Sequence, residues 1–351
     1  MKFSILILFA ALAFSSCSKG KSSKHSNSTN PGNSNGPISP TKPGESDLPI
    51  GQNGLFLHAN NGTNSRKDYA LEMGDKITLP TRSELGFTNG DKVFAGWCRE
   101  VDPCRNLDDL AYYTGEEFQV QGQDELYALW MSPSENWEDI ESGDLIIPNG
   151  VTSIPGKAFY RRDISRVVFP DTVIEIGQEA FVGNSISGTL VFPESLTSIG
   201  YYAFYYNQLT RVVLPYSLVS IGAHAFSLNH LTSIEFSESL VSIGEYAFSL
   251  NELTSIELPH SLESLGSFAF AYNFSLERAI LPMSLEELDY HLFDGCDELK
   301  ELTLGAKKDY DLVWDYPKGF AAFYNDNGKQ AGHYIRKADG EWENISLTPS
   351  L

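Results

Sequence analysis

A short pattern recurs every 22 or 23 residues in the second half of the chain. Three successive copies read PESLTSIGYYAF at 193–204, PYSLVSIGAHAF at 215–226 and SESLVSIGEYAF at 237–248. Each copy ends on a Phe, and the equivalent residues are Phe159, Phe181, Phe204, Phe226, Phe248, Phe270 and Phe293. A period in this range is typical of a solenoid, in which each repeat forms one coil stacked on the next. The sequence therefore predicts seven stacked units over residues 145–304.

Other positions of the repeat are apolar in every copy. The residue five positions before each Phe is Ile or Leu, at Ile154, Ile176, Ile199, Ile221, Ile243, Leu265 and Leu288. A further apolar run follows each Phe, for example Leu231, Ile234 and Phe236. A unit this short cannot bury its apolar face alone, so each coil depends on its neighbours and the array needs a cap at both ends.

A polar position also recurs, three residues after the Phe. It is occupied by Asn184, Asn207, Asn229, Asn251 and Asn273. A side-chain amide both donates and accepts hydrogen bonds, so it can satisfy backbone groups that a turning coil would leave unpaired. We expect these residues to form a structural ladder.

The signature P-x-S-[LV]-x-x-I-G-x-x-A-F resembles the BspA-like leucine-rich repeats of bacterial surface proteins. The resemblance covers nearly half of the chain. It implies a leucine-rich-repeat solenoid with an extended binding surface, used most commonly for adhesion to host or neighbouring-cell proteins. The first copy departs from the signature at Pro155 and Arg162, and the last at Asp289 and Cys296. Terminal repeats are usually atypical in this way.

The N-terminus has the composition of a bacterial export signal. Residues 1–17 contain one Lys, an apolar run from Phe3 to Phe14 and small residues before Cys17. The run is too short to span a bilayer as a stable helix and fits a signal-peptide core. Ser15-Ser16-Cys17 resembles the bacterial lipobox, which implies that Cys17 is acylated; an ordinary cleaved signal peptide is the alternative. We therefore expect a lipid-anchored protein of the bacterial cell envelope, exposed at the outer membrane surface.

Residues 18–49 consist almost entirely of Ser, Asn, Gly, Pro and Lys. Such a segment cannot bury enough apolar surface to fold, so it is expected to be a disordered tether between the lipid and the folded part. The first 49 residues are net positive, so the remainder is more acidic than the formal charge of −21 for the whole chain. Nucleic-acid binding requires a basic face, and this charge excludes that class of partner.

Residues 50–132 have a different pattern, with strand-like runs such as LFLHA, KITLP, KVFAGW and ELYALW separated by turn signals. The F-x-G-W run at 94–97 and the L-Y-A-x-W ending at 126–130 resemble the InlB B-repeat module of bacterial surface proteins. That resemblance implies a small β-grasp-like domain, which in the family is a spacer or a weak interaction unit.

Three cysteines lie beyond the tether. Cys98 and Cys104 flank a short predicted loop after Trp97. In an exported protein this pair predicts a disulfide; a metal pair is the poorer alternative, because no His or further Cys lies at ligand spacing. Cys296 occupies the position of the repeated Asn, where we expect a buried structural thiol.

The last segment, residues 310–351, contains the runs FAAFYND, GHYIRK and EWENISL, separated by DNG and ADG. These are hairpin signals. The segment resembles the short β module that often closes such arrays, and we expect a β cap over the apolar face of the last repeat.

No catalytic or metal-binding constellation is recognisable. The seven His residues form no H-E-x-x-H motif, no paired ligand spacing and no repeat-to-repeat column of His. We interpret His224 and His230 as exposed variable positions. Glu235 and Glu257 occupy equivalent positions of adjacent coils. A solvated acidic face is expected there, with a glycosidase pair or a Ca²⁺ site as alternatives. We predict a non-enzymatic protein without a cofactor or metal.

One position in each repeat strand, between its last two apolar residues, is predicted to point outward. It is occupied by Val168, Val191, Val213, Glu235, Glu257, Ile280 and Thr303. Three successive valines are unexpected on an exposed ladder. Residues of hot-spot type belong to the same early coils, namely Arg166, Arg211, Tyr202, Tyr205 and Tyr206. The alternative is that Val simply suits a strand and Tyr covers repeat edges.

Two functions fit these features. The first is a non-enzymatic cell-surface protein that binds an extracellular or host protein, such as a matrix protein, through its repeat face. The second is a carbohydrate-binding or carbohydrate-processing accessory lipoprotein whose Tyr side chains stack on sugar rings. A pull-down of host matrix proteins, run beside a glycan array, separates the two functions. Selective glycan binding without a protein partner would contradict the first.

Overall fold

The computed structural model describes residues 53–63, 65–80, 82–100, 104, 107–113, 116–134, 138, 140–285, 288–289, 291–304, 319–326 and 330–345. The predicted signal peptide, Cys17 and the tether lie outside these residues. The described part is mainly β, as predicted, and its helical segments are α1 (Arg82–Leu85), a 3₁₀ turn (Leu107–Asp109) and α2 (Phe320–Asp326). Among the described residues, no helix is both long enough and apolar enough to cross a membrane.

The first six strands form an N-terminal β domain. They are β1 (Gly54–His58), β2 (Arg66–Ala70), β3 (Lys76–Thr78), β4 (Val93–Cys98), β5 (Glu117–Gln119) and β6 (Gln123–Met131). Four of them form a sheet of order β2-β1-β6-β4, in which β1 and β6 are parallel and the outer pairs are antiparallel. The first and last strands of the domain thus lie side by side, in parallel, at the centre of the sheet. Trp97, Phe118 and Leu126 are buried in the core of this domain.

Each coil of the repeat array follows the same course, with a longer strand and a two-residue strand in most coils. The longer strands are β7 (Gly143–Ile146), β9 (Ile164–Val168), β11 (Ser187–Val191), β13 (Gln208–Val213), β16 (Ser255–Glu257), β18 (Arg278–Leu281) and β19 (Glu301–Leu304). The short strands are β8 (Ser153–Ile154), β10 (Glu175–Ile176), β12 (Ser198–Ile199), β14 (Ser220–Ile221), β15 (Ser242–Ile243) and β17 (Ser264–Leu265). All the short strands join one parallel sheet. The longer strands pair in parallel as β7-β9, β11-β13 and β16-β18-β19. The predicted solenoid is confirmed.

The repeated Phe residues form the core of the array. All of them are fully buried. From Phe159 to Phe270 the rings of successive coils stack face to face, with centroids 5.0 to 5.6 Å apart. The coils approach closely because Gly follows the apolar residue of most short strands: a Cβ added at Gly222 would lie 2.5 Å from the backbone N of Tyr201. The same contacts, repeated from coil to coil, are what stabilises such an array.

The predicted Asn ladder is confirmed as a set of backbone-satisfying side chains. Asn229 Nδ2 donates to the backbone oxygens of Phe204 at 2.9 Å and Phe226 at 3.1 Å, and Asn229 Oδ1 accepts the Leu209 N–H at 3.1 Å. Equivalent bonds to the preceding coil are made by Asn184, Asn207, Asn251 and Asn273. All five side chains are buried. They therefore remove the cost of leaving backbone groups unpaired inside the coil.

The C-terminal segment closes the array, but its first run is a helix and not a strand. Phe320 and Tyr324 lie one helical turn apart in α2, and both are buried against the array; this spacing favours a helix with one apolar face. The other two runs form the strands β20 (Gly332–Arg336) and β21 (Trp342–Asn344). Strand β20 pairs antiparallel with β19, and β21 with β20, so the hairpin extends the sheet of the last coils. Tyr334 and Trp342 pack edge-on against Phe320.

Candidate functional site on the repeat face

The outward ladder exists in the structure as a set of paired strand residues. The pairs are Ile146–Val168, Val191–Val213, Val213–Glu235, Glu257–Ile280 and Ile280–Thr303. The ladder begins with Ile146, one coil earlier than the first position predicted from the sequence, Val168. Because side chains alternate along a strand, these residues face away from the buried neighbours on either side of them, such as Leu190 and Phe192 around Val191.

The N-terminal β domain packs on the beginning of this ladder. Ile146 is buried and Val168 is half-buried. Both contact an apolar cluster whose buried β-domain members are Val93, Cys98, Cys104, Leu107 and Leu129. Asn149 Nδ2 also donates to the backbone oxygens of Asp91 and Lys92, at 3.1 and 3.2 Å. Val168, which the sequence suggested as a partner-binding residue, thus contacts the β domain of its own chain.

Both arginines of the predicted patch are held by carboxylates. The Arg166 guanidinium forms a bidentate pair with Asp144, at 2.9 and 2.7 Å, and donates to Asp108 of the β domain at 2.6 Å. Arg211 pairs with Glu116 of the β domain. Hydrogen bonds to Asp144 and Asp108 raise the pKa of Arg166 further above its ordinary value. The arginines therefore join the β domain to the array.

The ladder remains open as a cleft beyond the docked β domain. A cavity of about 230 Å³ is lined by Tyr113 of the β domain and by Val191 of β11. A second cavity of about 270 Å³ is lined by Thr78 of the β domain and by Val213 of β13. Glu194 lines both cavities, and the two valines are half-buried. The cleft thus has an apolar floor and one wall formed by the β domain.

The ladder changes from apolar to acidic after Val213. Glu235 and Glu257 are both exposed, and neither carboxylate makes a hydrogen bond or ion pair with another residue in the described part of the chain. Like charges at equivalent positions of neighbouring strands repel one another. The open cleft therefore borders a surface of uncompensated negative charge.

The predicted tyrosines lie on other surfaces. Tyr202 begins a column of aromatic rings at the position two residues before the repeated Phe. Its members are Tyr202, His224, Tyr246, Phe268 and His291. Neighbouring rings stack with centroids 4.2 to 4.8 Å apart and interplanar angles of 4° to 12°. Tyr205 packs edge-on against Tyr202 at 4.8 Å.

His224 is half-buried and is not the exposed variable position that the sequence predicted. Its ring lies between Tyr202 and Tyr246, at 4.3 and 4.8 Å. Its Nδ1 is buried and has no hydrogen-bond partner among the described residues. Burial lowers the pKa of the His224 imidazole. His230 is exposed, as expected, and its Nδ1 lies 2.8 Å from Glu252 Oε1.

Tyr206 lies on the other side of Phe204 in sequence and lines a separate groove with Leu228, Leu250 and Tyr272. None of the three predicted tyrosines lines the two cavities over the ladder valines. The structure therefore brings the valines and arginines of the predicted patch together and leaves its tyrosines elsewhere. The sequence signal of the aromatic column is a ring-bearing residue two positions before the Phe in successive copies, which sequence reasoning missed.

The cysteines have structural surroundings. Cys98 and Cys104 form a disulfide, with the two Sγ atoms 2.20 Å apart, within the cluster that meets the array. Cys296 is a free, buried thiol whose Sγ lies 3.4 Å from the backbone oxygen of Phe270. Burial raises the pKa of this thiol to about 12. Because the thiolate is the reactive form of cysteine, a high pKa favours a structural role for Cys296. Within the described residues, no group of three or more His, Cys, Asp or Glu side chains could hold a metal ion.

The repeats match a family of known proteins. Residues 136–234 and 220–310 match the family described as BspA type Leucine rich repeat region (6 copies). These residues belong to the BspA-type leucine-rich repeat family. The BspA-type region includes the coils from β7 to β19, and hence the whole outward ladder.

Solved structures of other leucine-rich repeat proteins are similar to this chain. One from T. pallidum is 30% identical, covers 46% of this chain and 69% of its own, and has a TM-score of 0.33. One from Bacteroides ovatus is 28% identical; the match covers 49% of this chain and 45% of that protein, with a TM-score of 0.36. A leucine rich cell surface protein from Faecalibacterium prausnitzii is 18% identical; the match covers 74% of this chain and 60% of that protein, with a TM-score of 0.32. No curated protein matches the chain.

Proposed function

We propose that the chain is a non-enzymatic cell-surface protein that binds an extracellular or host protein, with a matrix protein as the first candidate. Its binding surface is the open part of the ladder. The observation that carries this proposal is the half-buried pair Val191–Val213, which lies in the cleft outside the core of the array. An apolar floor enclosed by polar and aromatic groups is where a partner gains most from excluding water.

The β domain is part of this site in our proposal, although the InlB B-repeat module that it resembles is a spacer or weak interaction unit. Thr78 and Tyr113 line the cleft, and Glu116 holds Arg211 at its side. Arg166 and Val168, which the sequence assigned to partner binding, act here as docking residues. A partner therefore meets a surface formed by two parts of one chain.

Replacing both Val191 and Val213 by Glu tests the proposal. The new carboxylates meet water in the free protein but are desolvated in a complex, so binding to a panel of purified matrix proteins should weaken at least about tenfold, or ~1.4 kcal/mol. The unfolding midpoint should change little, because the core residues of β11 and β13 are untouched. The matched control, Glu235→Lys with Glu257→Lys, changes charge on the same ladder and leaves the apolar pair intact.

Two outcomes would contradict this proposal. If the Val191→Glu, Val213→Glu protein folds and still binds its matrix protein with the affinity of the unchanged chain, the contact lies elsewhere. If the double substitution lowers the melting temperature as far as a core substitution does, the valines serve the fold and not a partner.

The chain reaches the surface as a lipoprotein in this proposal. The lipobox-like Ser15-Ser16-Cys17 supports acylation of Cys17, and two or more acyl chains anchor a protein stably. Cys17→Ala should release the protein from the membrane fraction and prevent incorporation of radiolabelled palmitate. Equal retention of both forms in the membrane fraction would rule out the lipid anchor.

A further inference from the structure

A groove lies beside the repeated Phe residues, apart from the ladder cleft, and has a volume of about 500 Å³. Its apolar lining comes from the position two residues after the Phe in four successive coils, Tyr206, Leu228, Leu250 and Tyr272, together with Phe274. Tyr206 and Phe274 are 40% and 49% exposed. A continuous aromatic and aliphatic strip is thus open to solvent across four coils.

The backbone at these four positions is left-handed, with φ between 55° and 60°. Bulky residues adopt this conformation at a cost in free energy, whereas Gly adopts it freely. Gly183 and Gly295 occupy the equivalent position in the flanking coils, with φ of 64° and 78°. Gly295 also leaves space for the neighbouring ring, since a Cβ there would lie 2.7 Å from Tyr272 Cδ1. Strained positions that keep large side chains in preference to Gly point to a use for those side chains.

From Tyr202 to Phe268 the aromatic column has the same left-handed backbone, but its rings pack on one another. Each ring of Tyr202, His224 and Tyr246 stacks on the next at 4.3 to 4.8 Å. Their faces are therefore covered by neighbouring rings. In the groove, the side chains two residues after each Phe border open space, so a ligand can contact them.

Polar groups line the same groove. Gln208 is exposed, and its carboxamide makes no hydrogen bond to another described residue. His230 and Glu252 are also exposed and hold each other, with Nδ1 and Oε1 2.8 Å apart. Among the described lining residues, Glu252 is the one carboxylate, and no Lys or Arg is present. The groove therefore offers hydrogen bonds but no free charge to recognise an ionic ligand, on a chain whose formal net charge is −21.

We propose that this groove binds a neutral oligosaccharide. The C–H faces of sugar rings pack against aromatic and aliphatic side chains, while their hydroxyl groups exchange hydrogen bonds with carboxamide, imidazole and carboxylate groups at the rim. Tyr206 and Tyr272 lie three coils apart, or about 14 Å at the usual spacing of about 4.8 Å between paired strands. This distance suits a short oligosaccharide lying across the coils. The site is separate from the ladder cleft and does not depend on protein binding there.

The test is isothermal titration calorimetry of the whole chain with maltohexaose, cellohexaose, xylohexaose and mannohexaose, and with hexagalacturonate as the anionic comparison. At least one neutral hexasaccharide should bind, and hexagalacturonate should not. Tyr206→Ala with Tyr272→Ala should weaken that binding at least about tenfold. Tyr216→Ala is the matched control, since Tyr216 is 75% exposed and does not line the groove.

Leu228→Gly separates binding from folding. Gly adopts the left-handed backbone freely, so the melting temperature should not fall appreciably, but the apolar floor is lost and saccharide binding should weaken. Val191→Glu with Val213→Glu should leave saccharide binding unchanged, whatever it does to a protein partner. The proposal is overturned if none of the neutral hexasaccharides binds. It is also overturned if the bound saccharide is held equally well after Leu228→Gly and after the double Tyr substitution.

Discussion

Phe226 shows how a single residue type sets the stability of the array. Its ring is fully buried and stacks on the rings of Phe204 and Phe248, with both centroids 5.5 Å away. The backbone oxygen of Phe226 also accepts hydrogen bonds from the side chains of Asn229 and Asn251. One residue therefore contributes to two interfaces between coils, and in a stacked array stability is roughly the sum of such interfaces.

Phe226→Ala should lower the free energy of unfolding by about 3–5 kcal/mol, the range for emptying a large buried aromatic site. Tyr216→Ala should change it by less than about 0.5 kcal/mol, because Tyr216 is 75% exposed. Urea denaturation followed by circular dichroism measures both. An unchanged midpoint for Phe226→Ala would show that the repeated Phe is not the anchor of the core.

Residue roles could be predicted where the repeat keeps one residue type, and were missed where it does not. Phe recurs in all seven copies and Asn in five successive ones, so the burial of the rings and the ladder of amides follow from the sequence. The aromatic column was missed because Tyr202, His224 and Phe268 share a shape but not a residue type. The two arginines stand out in sequence, but their partners do not: Arg166 and Asp108 are 58 residues apart, and Arg211 and Glu116 are 95 apart.

Among the elements, the longer strands were predictable and the short ones were not. The apolar spacing around Val191 and Val213 is that of a leucine-rich-repeat strand, and β11 and β13 lie there. The two-residue strands, such as β12 and β14, are too short for alternation to appear; they exist because neighbouring coils hold their backbones in parallel register. The turn signals after FAAFYND were read as ends of strands, whereas the spacing of Phe320 and Tyr324 favours the helix observed.

At the scale of the whole molecule, the β domain divides the ladder into a covered and an open part. The covered part begins with Ile146 and Val168, and the disulfide Cys98–Cys104 lies in the cluster that contacts them. The open part begins at Val191. A sequence reveals each domain by its own pattern, but the contact between the two depends on residues far apart in the chain, which no local pattern relates.

Hydrogen–deuterium exchange locates a partner's footprint on the chain without any substitution. It is to be measured on the full chain alone and with the matrix protein that binds most tightly in the panel. We predict slower exchange in β11 and β13 on binding, because the partner excludes water from the cleft around Val191 and Val213, and little change in the parallel sheet of short strands. Protection confined to that sheet or to the groove at Leu228, with β11 and β13 unchanged, would contradict the assignment of the open ladder as the binding surface.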